Sequence, residues 1–163
     1  MIPIEDREKD LQLIGFKVDS KLFGVNILTI REILRDPVIE IIQNAPEFIE
    51  GSVRIRGEFI PIINLRKRFG NDSSEIKGGP IWILVTKVAD FVFGFWVDSV
   101  TRIIKVDEQS ILPAPDLVLT GIRSQYIQGV CNSELGMLVV LDLKRILGTD
   151  EIEKISKTIA KIV

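Results

Sequence analysis

Residues able to do chemistry are few in this chain. It has no histidine and a single cysteine, Cys131. Without an imidazole there is no histidine-based triad and the commonest general acid/base is missing. One thiol builds neither a cysteine-rich zinc site nor an intrachain disulfide. Asp98, Asp107 and Glu108 lack the spacing of a calcium loop. Carboxylate, lysine or tyrosine chemistry remains open, but no paired-carboxylate spacing marks it. The expectation is therefore no catalytic residue, no metal and no cofactor. The more distinctive side chains are basic: Arg54, Arg56, and the run Arg66-Lys67-Arg68. No glycine-rich phosphate loop and no aromatic stacking platform accompany them. A net charge of -2 and a pI near 5.3 add no bulk attraction for nucleic acid. Residues 66–68 are expected to form a solvated face on one helical turn.

These residues sit in a segment that organises the chain, Gly51 to Gly70. Val53 and Ile55 alternate with Arg54 and Arg56 at the period of a half-buried strand. Gly57 permits a sharp turn. A second apolar run, Phe59 to Ile63, contains Pro61, which points to an edge or a bulge. Asn64 caps a helical turn over Leu65 to Phe69. Arg56 then has two readings. It is either an exposed arginine before a turn glycine, or a planar donor held by a rigid turn and presented to a partner's carboxylate or carbonyl. Glu32, between Ile30 and Ile33, is either solvated or fixes the direction of the Arg56 guanidinium. Trp82 and Trp96 read as core or packing residues, and Cys131 as a buried inert thiol.

At 163 residues the chain suits one domain, or two small lobes sharing a core. Hydrophobic residues make up 46% and charged residues 27%, as in a soluble globular protein. No apolar run is long enough to span a bilayer, and the start lacks a signal peptide's basic and apolar regions, so a cytoplasmic location is expected. After a charged lead-in, Leu11–Val18 and Leu22–Val25 read as strands around an Asp19-Ser20-Lys21 turn. Asn26–Arg35 is ambiguous between helix and strand. Val38–Ile42 reads as a short strand, and Ala45–Glu50 as one turn. A loop spans 70–79. Further strands are expected at Ile81–Val88, Phe91–Val97, Ile103–Val106, Tyr126–Cys131 and Met137–Leu143, with an extended Leu112–Asp116. Asp150, with Glu153 three residues on, opens a last helix over about 150–163, with Ile152, Ile155, Ile159 and Ile162 as its apolar stripe.

The second half echoes the first. Phe23–Leu34 aligns with Phe93–Ile104, and Gly51–Gly70 aligns without gaps with Gly129–Gly148. The copies differ most where Arg54-Ile55-Arg56-Gly57 becomes Asn132-Ser133-Glu134-Leu135. The repeat predicts a mainly β protein of two five-stranded lobes, roughly 11–75 and 80–148, with strands able to exchange between them and a substantial apolar interface.

The chain resembles the CheW family of bacterial chemotaxis adaptors. The likeness is carried by Phe23-Gly24-Val25-Asn26-Ile27, Ile30-Arg31-Glu32-Ile33, Phe48-Ile49-Glu50-Gly51 and Arg56-Gly57-Glu58-Phe59-Ile60-Pro61-Ile62-Ile63-Asn64-Leu65-Arg66. It continues through Gly94-Phe95-Trp96-Val97-Asp98-Ser99-Val100 and Pro113-Ala114-Pro115. Where the family usually has Asn-Leu-Arg-Gly, this chain has Arg54-Ile55-Arg56-Gly57. The resemblance implies two SH3-like β-barrels and no catalysis. It also implies two partners: the CheW-like regulatory domain of the histidine kinase CheA, and the cytoplasmic tip of a methyl-accepting chemoreceptor in a membrane-associated array. Partner-binding positions carried over are Ile30, Glu32, Gly51, Arg56 with Gly57, Val100, Ile103 and Gly129. Two alternatives stay open: a regulatory module cut from a CheA-type kinase, and a small-ligand binder or enzyme using the space between the lobes.

Overall fold

Short β-branched and aromatic runs, punctuated by two-residue turns, fold into an almost entirely β structure. The computed structural model describes residues 10–69, 79–88, 90–114 and 124–162. The charged lead-in, nearly all of the expected 70–79 loop and the end of the 112–116 run lie outside the described residues. The strands are β1 (Asp10–Val18), β2 (Lys21–Asn26), β3 (Ile30–Arg35), β4 (Ile49–Ile55) and β5 (Glu58–Asn64), followed by a short helix α1 (Leu65–Arg68). Then come β6 (Trp82–Val88), β7 (Phe91–Val97), β8 (Ser99–Asp107), β9 (Ile127–Ser133), β10 (Gly136–Leu141) and helix α2 (Thr149–Ile162).

The strands form two five-stranded sheets, sheet A in the order β8-β1-β2-β10-β9 and sheet B in the order β3-β6-β7-β5-β4. Each curls in the manner of an SH3-like barrel without closing. Advancing residue numbers by 70 carries β2 onto β7 and β3 onto β8, and advancing them by 78 carries β4 and β5 onto β9 and β10. With β1 set on β6, this turns the strand order of one sheet into that of the other. The register follows too: Val140 lies opposite Gly24 in the parallel pair of sheet A, and Ile62 opposite Gly94 in that of sheet B. Each sheet draws on both halves of the chain, because β1 and β2 pair with β8 and β10 while β6 and β7 pair with β3 and β5.

Three apolar clusters result. One lies within sheet A (Leu13, Ile104, Cys131, Leu138, Val140) and one within sheet B (Val53, Ile60, Ile62, Ile83, Val85). The repeat sets Cys131 on Val53, so the thiol stands where a valine does and serves as a small apolar side chain, its pKa raised by burial. The third and largest cluster joins the sheets through Phe16, Phe23, Ile63, Leu84, Phe93 and Phe95. It fills the space that a ligand site between the lobes would need.

Several local expectations change. Asn26–Arg35 resolves into a 3₁₀ turn over Ile27–Thr29, capped by Asn26, and then β3. The β-branched residues prevail because β3 has β6 to pair with. The strand expected at Val38–Ile42 is reduced to one bridge, Glu40 to Ser52. Ile49 and Glu50 already belong to β4, β8 begins four residues before Ile103, and Leu143 lies in a 3₁₀ turn rather than a strand. Pro61 lies in a central strand, not at an edge. Ser52 spends both its backbone groups on Glu40, at 2.8 Å each, so the Ser52–Pro61 pair needs no bond. The parallel ladder to β7 starts only at Ile62, which spares the proline nitrogen.

The basic run at 66–68 is not a solvated face. Arg66 donates twice to Asp98 (2.7 and 2.8 Å), Lys67 pairs with Glu50, and Arg68 is largely buried. Arg68 donates to the Ile146 carbonyl and to Glu151, and lies over the rings of Phe48 and Tyr126. Glu151, rather than Glu153, reaches back to the Gly148 amide at the start of α2 (2.9 Å). Ile152, Ile155 and Ile159 pack on the shared cluster, whereas the side chain of Ile162 is outside the described set.

Gly51 and Gly129 play the same part in the two sheets. A Cβ on Gly51 would stand 2.3 Å from the Glu40 carbonyl oxygen, and one on Gly129 2.7 Å from that of Leu112. Each glycine lets a crossing segment bond to the edge strand, through Glu40–Ser52 and Leu112–Val130. We expect Gly51→Ala and Gly129→Ala each to cost about 1–3 kcal/mol in denaturant unfolding, as overpacked sites do; a neutral result at either would refute this role. Arg68→Ala should lower the unfolding midpoint and speed amide exchange in α2 more than in β1, whereas uniform exchange would show that Arg68 does not hold the helix.

Candidate protein-interaction site

Arg56 and Gly57 form the two-residue loop of the β4–β5 hairpin, between the paired residues Ile55 and Glu58. Their φ values, 50° and 79°, are those of a type I′ turn. The left-handed conformation costs a non-glycine residue about 1–2 kcal/mol. Arg56 adopts it, so its Cα direction is set by the hairpin rather than by preference. Its side chain is 67% exposed, and its guanidinium donates to Glu32 Oε2 at 2.5 Å, the pairing that the sequence left as one of two readings.

Glu32 reaches this position because of an irregularity in β3. Ile30 pairs with Thr86 and Glu32 with Val85, so Arg31 is the extra residue of a bulge. Arg31 turns to the same hairpin and grips Glu58 with two bonds, 3.2 and 2.9 Å. The Arg31 hydrogen bond holds the Glu58 carboxyl below its ordinary range and raises the guanidinium in return. Two ion pairs thus tie β3, at one edge of sheet B, to the turn beside the opposite edge. Pairs this exposed contribute little to folding, because solvent screens them. Their effect is to fix where the Arg56 guanidinium points.

The remaining sequence-derived positions divide. Ile30 and Val100 are repeat equivalents, both half-buried against the shared cluster. Ile103 is 55% exposed on β8, and its equivalent Ile33 is less so. Gly51 and Gly129 are buried beneath the crossing segments, so the structure gives them a packing role and no surface to offer a partner. Glu32, Arg56 and Gly57 converge on one rim, with Ile30 on the same strand as Glu32. Val100 and Ile103 belong to the other sheet. Sequence reasoning missed Arg31–Glu58 and also Arg102–Glu134 (2.8 Å). The internal alignment contained the second signal, since it sets Arg102 on Glu32 and Glu134 on Arg56.

Among the described residues no group of three or more histidine, cysteine, aspartate or glutamate side chains converges as metal ligands would. Asp98 is committed to structure: besides Arg66 it accepts from the Asp19 amide at 2.7 Å, joining the β1–β2 turn to the link between the sheets. No described helix is long and apolar enough to cross a membrane.

Comparison with known proteins agrees with this architecture. The family model of the CheW-like domain matches residues 12–151. The chemotaxis protein CheW of Treponema pallidum is 30% identical over 158 residues, covering 95% of this chain and 92% of that protein. CheW of Helicobacter pylori is 30% identical over 146 residues, covering 90% and 87%. Among solved structures, the scaffolding protein TtCheW of Thermoanaerobacter tengcongensis superposes with a TM-score of 0.77 at 30% identity, covering 86% of this chain and 94% of that one. The repeat, the paired open sheets and a sequence match across nearly the whole length have one explanation: the chain belongs to the CheW family.

Proposed function

We propose that this protein is a non-catalytic chemotaxis scaffold. It couples the regulatory domain of the histidine kinase CheA to the cytoplasmic tip of a chemoreceptor and is held in the cytoplasm at membrane-associated receptor arrays. The observation that carries the reading is the Arg56 rim. A guanidinium stands mostly in solvent on a rigid turn, aimed by Glu32, and does not enter any enclosed cavity. Arginine in this state suits a protein contact, where a planar donor meets a carboxylate or carbonyl at little further entropic cost.

The coupling mechanism follows from rigidity. The fully buried aromatic layer between the sheets leaves no room for them to slide, so surfaces on sheet A and sheet B keep a fixed separation. Two weak contacts on such a body act together, because the second forms at high effective concentration once the first is made. A conformational change in a receptor then moves the kinase through the scaffold without any bond being made or broken in it.

Arg56→Ala should leave the circular dichroism spectrum unchanged and weaken capture of the kinase regulatory domain by about 2 kcal/mol, the size expected of an interface anchor. Ile103→Arg is the matching change on the other sheet and should also weaken capture of kinase or receptor tip. Val100 is half-buried against the shared cluster, so Val100→Arg would confuse lost binding with strained packing. Undiminished capture of both partners by both Arg56→Ala and Ile103→Arg would rule out the site. A double-mutant cycle on Glu32 and Arg56, read by kinase binding, should show a coupling of at least ~0.5 kcal/mol; strictly additive losses would mean that Glu32 does not orient Arg56.

A further inference from the structure

The crossing segment of sheet B presents an open strand edge. Glu40 exchanges both of its backbone groups with Ser52, each at 2.8 Å, which is the hydrogen-bonded pair of an antiparallel ladder. Backbone N–H and C=O groups alternate in direction from residue to residue along an extended chain, so those of Ile39 and Ile41 face away from β4. Among the described residues neither isoleucine makes a backbone hydrogen bond. The repeat supplies a comparison. In sheet A, Leu112 and Val130 are bonded in the same way, with Ile111 and Pro113 at the flanking places. There the outward donors are occupied or missing: the Ile111 amide donates to the Glu108 carbonyl (3.3 Å), and Pro113 has no N–H. Proline is one of the ways in which an edge is closed to further strands. Sheet A has it at this place and sheet B does not. The open edge is also apolar. Val38 and Ile41, on either side of Glu40, are 80% and 87% exposed, while Ile39 packs inward on the sheet B cluster and anchors the segment.

We propose that this edge takes an extended segment of another protein as an added strand, with a lysine or arginine of that segment set across from Glu40. An antiparallel strand bonded to Ile39 and Ile41 leaves Glu40 in the non-hydrogen-bonded place between them, where facing side chains approach most closely. Glu40 is exposed and forms no ion pair among the described residues, so its carboxylate is available to that basic residue. Apolar residues facing Ile41, Ile39 and Val38 would cover the exposed side chains on either side. The edge therefore reads the order apolar, basic, apolar, apolar, with main-chain bonds supplying affinity and Glu40 supplying the choice. A second copy of the chain is the wrong occupant. Pairing two copies so that Ile39 meets Ile41 at both ends sets Glu40 against Glu40, and like charges directly opposite are destabilising. The proposal stands apart from the scaffold reading, since it uses neither Arg56 nor any residue of sheet A.

The probe is a capped peptide, threonine-valine-lysine-valine-valine-threonine, titrated into the full chain labelled with nitrogen-15 and followed by NMR. We expect saturable shifts of the Ile39 and Ile41 amides and slowed exchange at both, with the Val130 amide unmoved. A peptide with glutamate in place of the lysine should bind about tenfold more weakly, and Glu40→Lys should reverse that order. Ile41→Pro gives sheet B the proline that sheet A has, and it should lose binding while the circular dichroism spectrum stays unchanged. The matching change on the probe needs no variant to fold: N-methylation of the valine after the lysine removes the donor to the Ile39 carbonyl and should also abolish binding by the parent chain. No saturable shift at Ile39 and Ile41 with millimolar peptide overturns the proposal. Equal affinity for the lysine and glutamate peptides, or full affinity for the methylated one, overturns it too. Self-association of the chain in sedimentation, abolished by Ile41→Pro, would show that a second copy is the occupant and would likewise overturn it.

Discussion

Phe23 and Phe93 stand at equivalent places in the two repeats, and both are fully buried in the layer that joins the sheets. A curled five-stranded sheet of this size cannot hide all of its apolar surface within itself. Small domains bury too little area to offset the entropy of ordering the chain. Here each sheet keeps a modest interior of its own and turns its larger aromatic residues toward the other sheet. Burying one such side chain contributes about 1.5–3 kcal/mol, so this layer is the dominant favourable term, and neither sheet is expected to persist without it. Every surface of interest depends on it, because it holds the two rims at one distance.

The exchange of strands strengthens that dependence. β1 and β2 leave the first half of the chain to pair with β8 and β10, and β6 and β7 leave the second half to pair with β3 and β5. Asp98 marks one crossing, bound by Arg66 and by the amide of Asp19. Asn26 caps the other. Arg68 works near the same boundary, where it meets the carbonyl of Ile146, its own counterpart under the repeat. Charge is placed inside the molecule chiefly at the junctions between the halves. That placement suits groups whose pairing is directional.

Repetition also makes the differences informative. Where packing decides, the copies agree in kind: Cys131 replaces Val53, Leu138 replaces Ile60, and Gly129 replaces Gly51. Where solvent is the neighbour, they diverge, and the rim pair keeps its position while exchanging its charges. An ion pair of either polarity spans the open side of a sheet equally well. Stability therefore leaves the sign unconstrained.

From the sequence alone came the fold class, the repeat, nearly every strand, the Arg56-Gly57 turn and the family resemblance, because these follow from local alternation, turn chemistry and self-similarity along the chain. The resemblance also marked Gly51 and Gly129, but their use was visible only when the crossing segments were seen 2.3 and 2.7 Å from the missing Cβ atoms. Pro61 read as the mark of an edge or a bulge because the register that spares its nitrogen is a property of three strands together. Residues 66–68 read as solvated because their acidic partners, Asp98, Glu50 and Glu151, are distant in sequence. Tertiary structure decided which charges meet, which glycines are crowded and which of two helix-or-strand readings survives. The physical reason is common to all three: each depends on a neighbour that only the fold brings close, and one-dimensional periodicity records only a residue's own face and not what faces it.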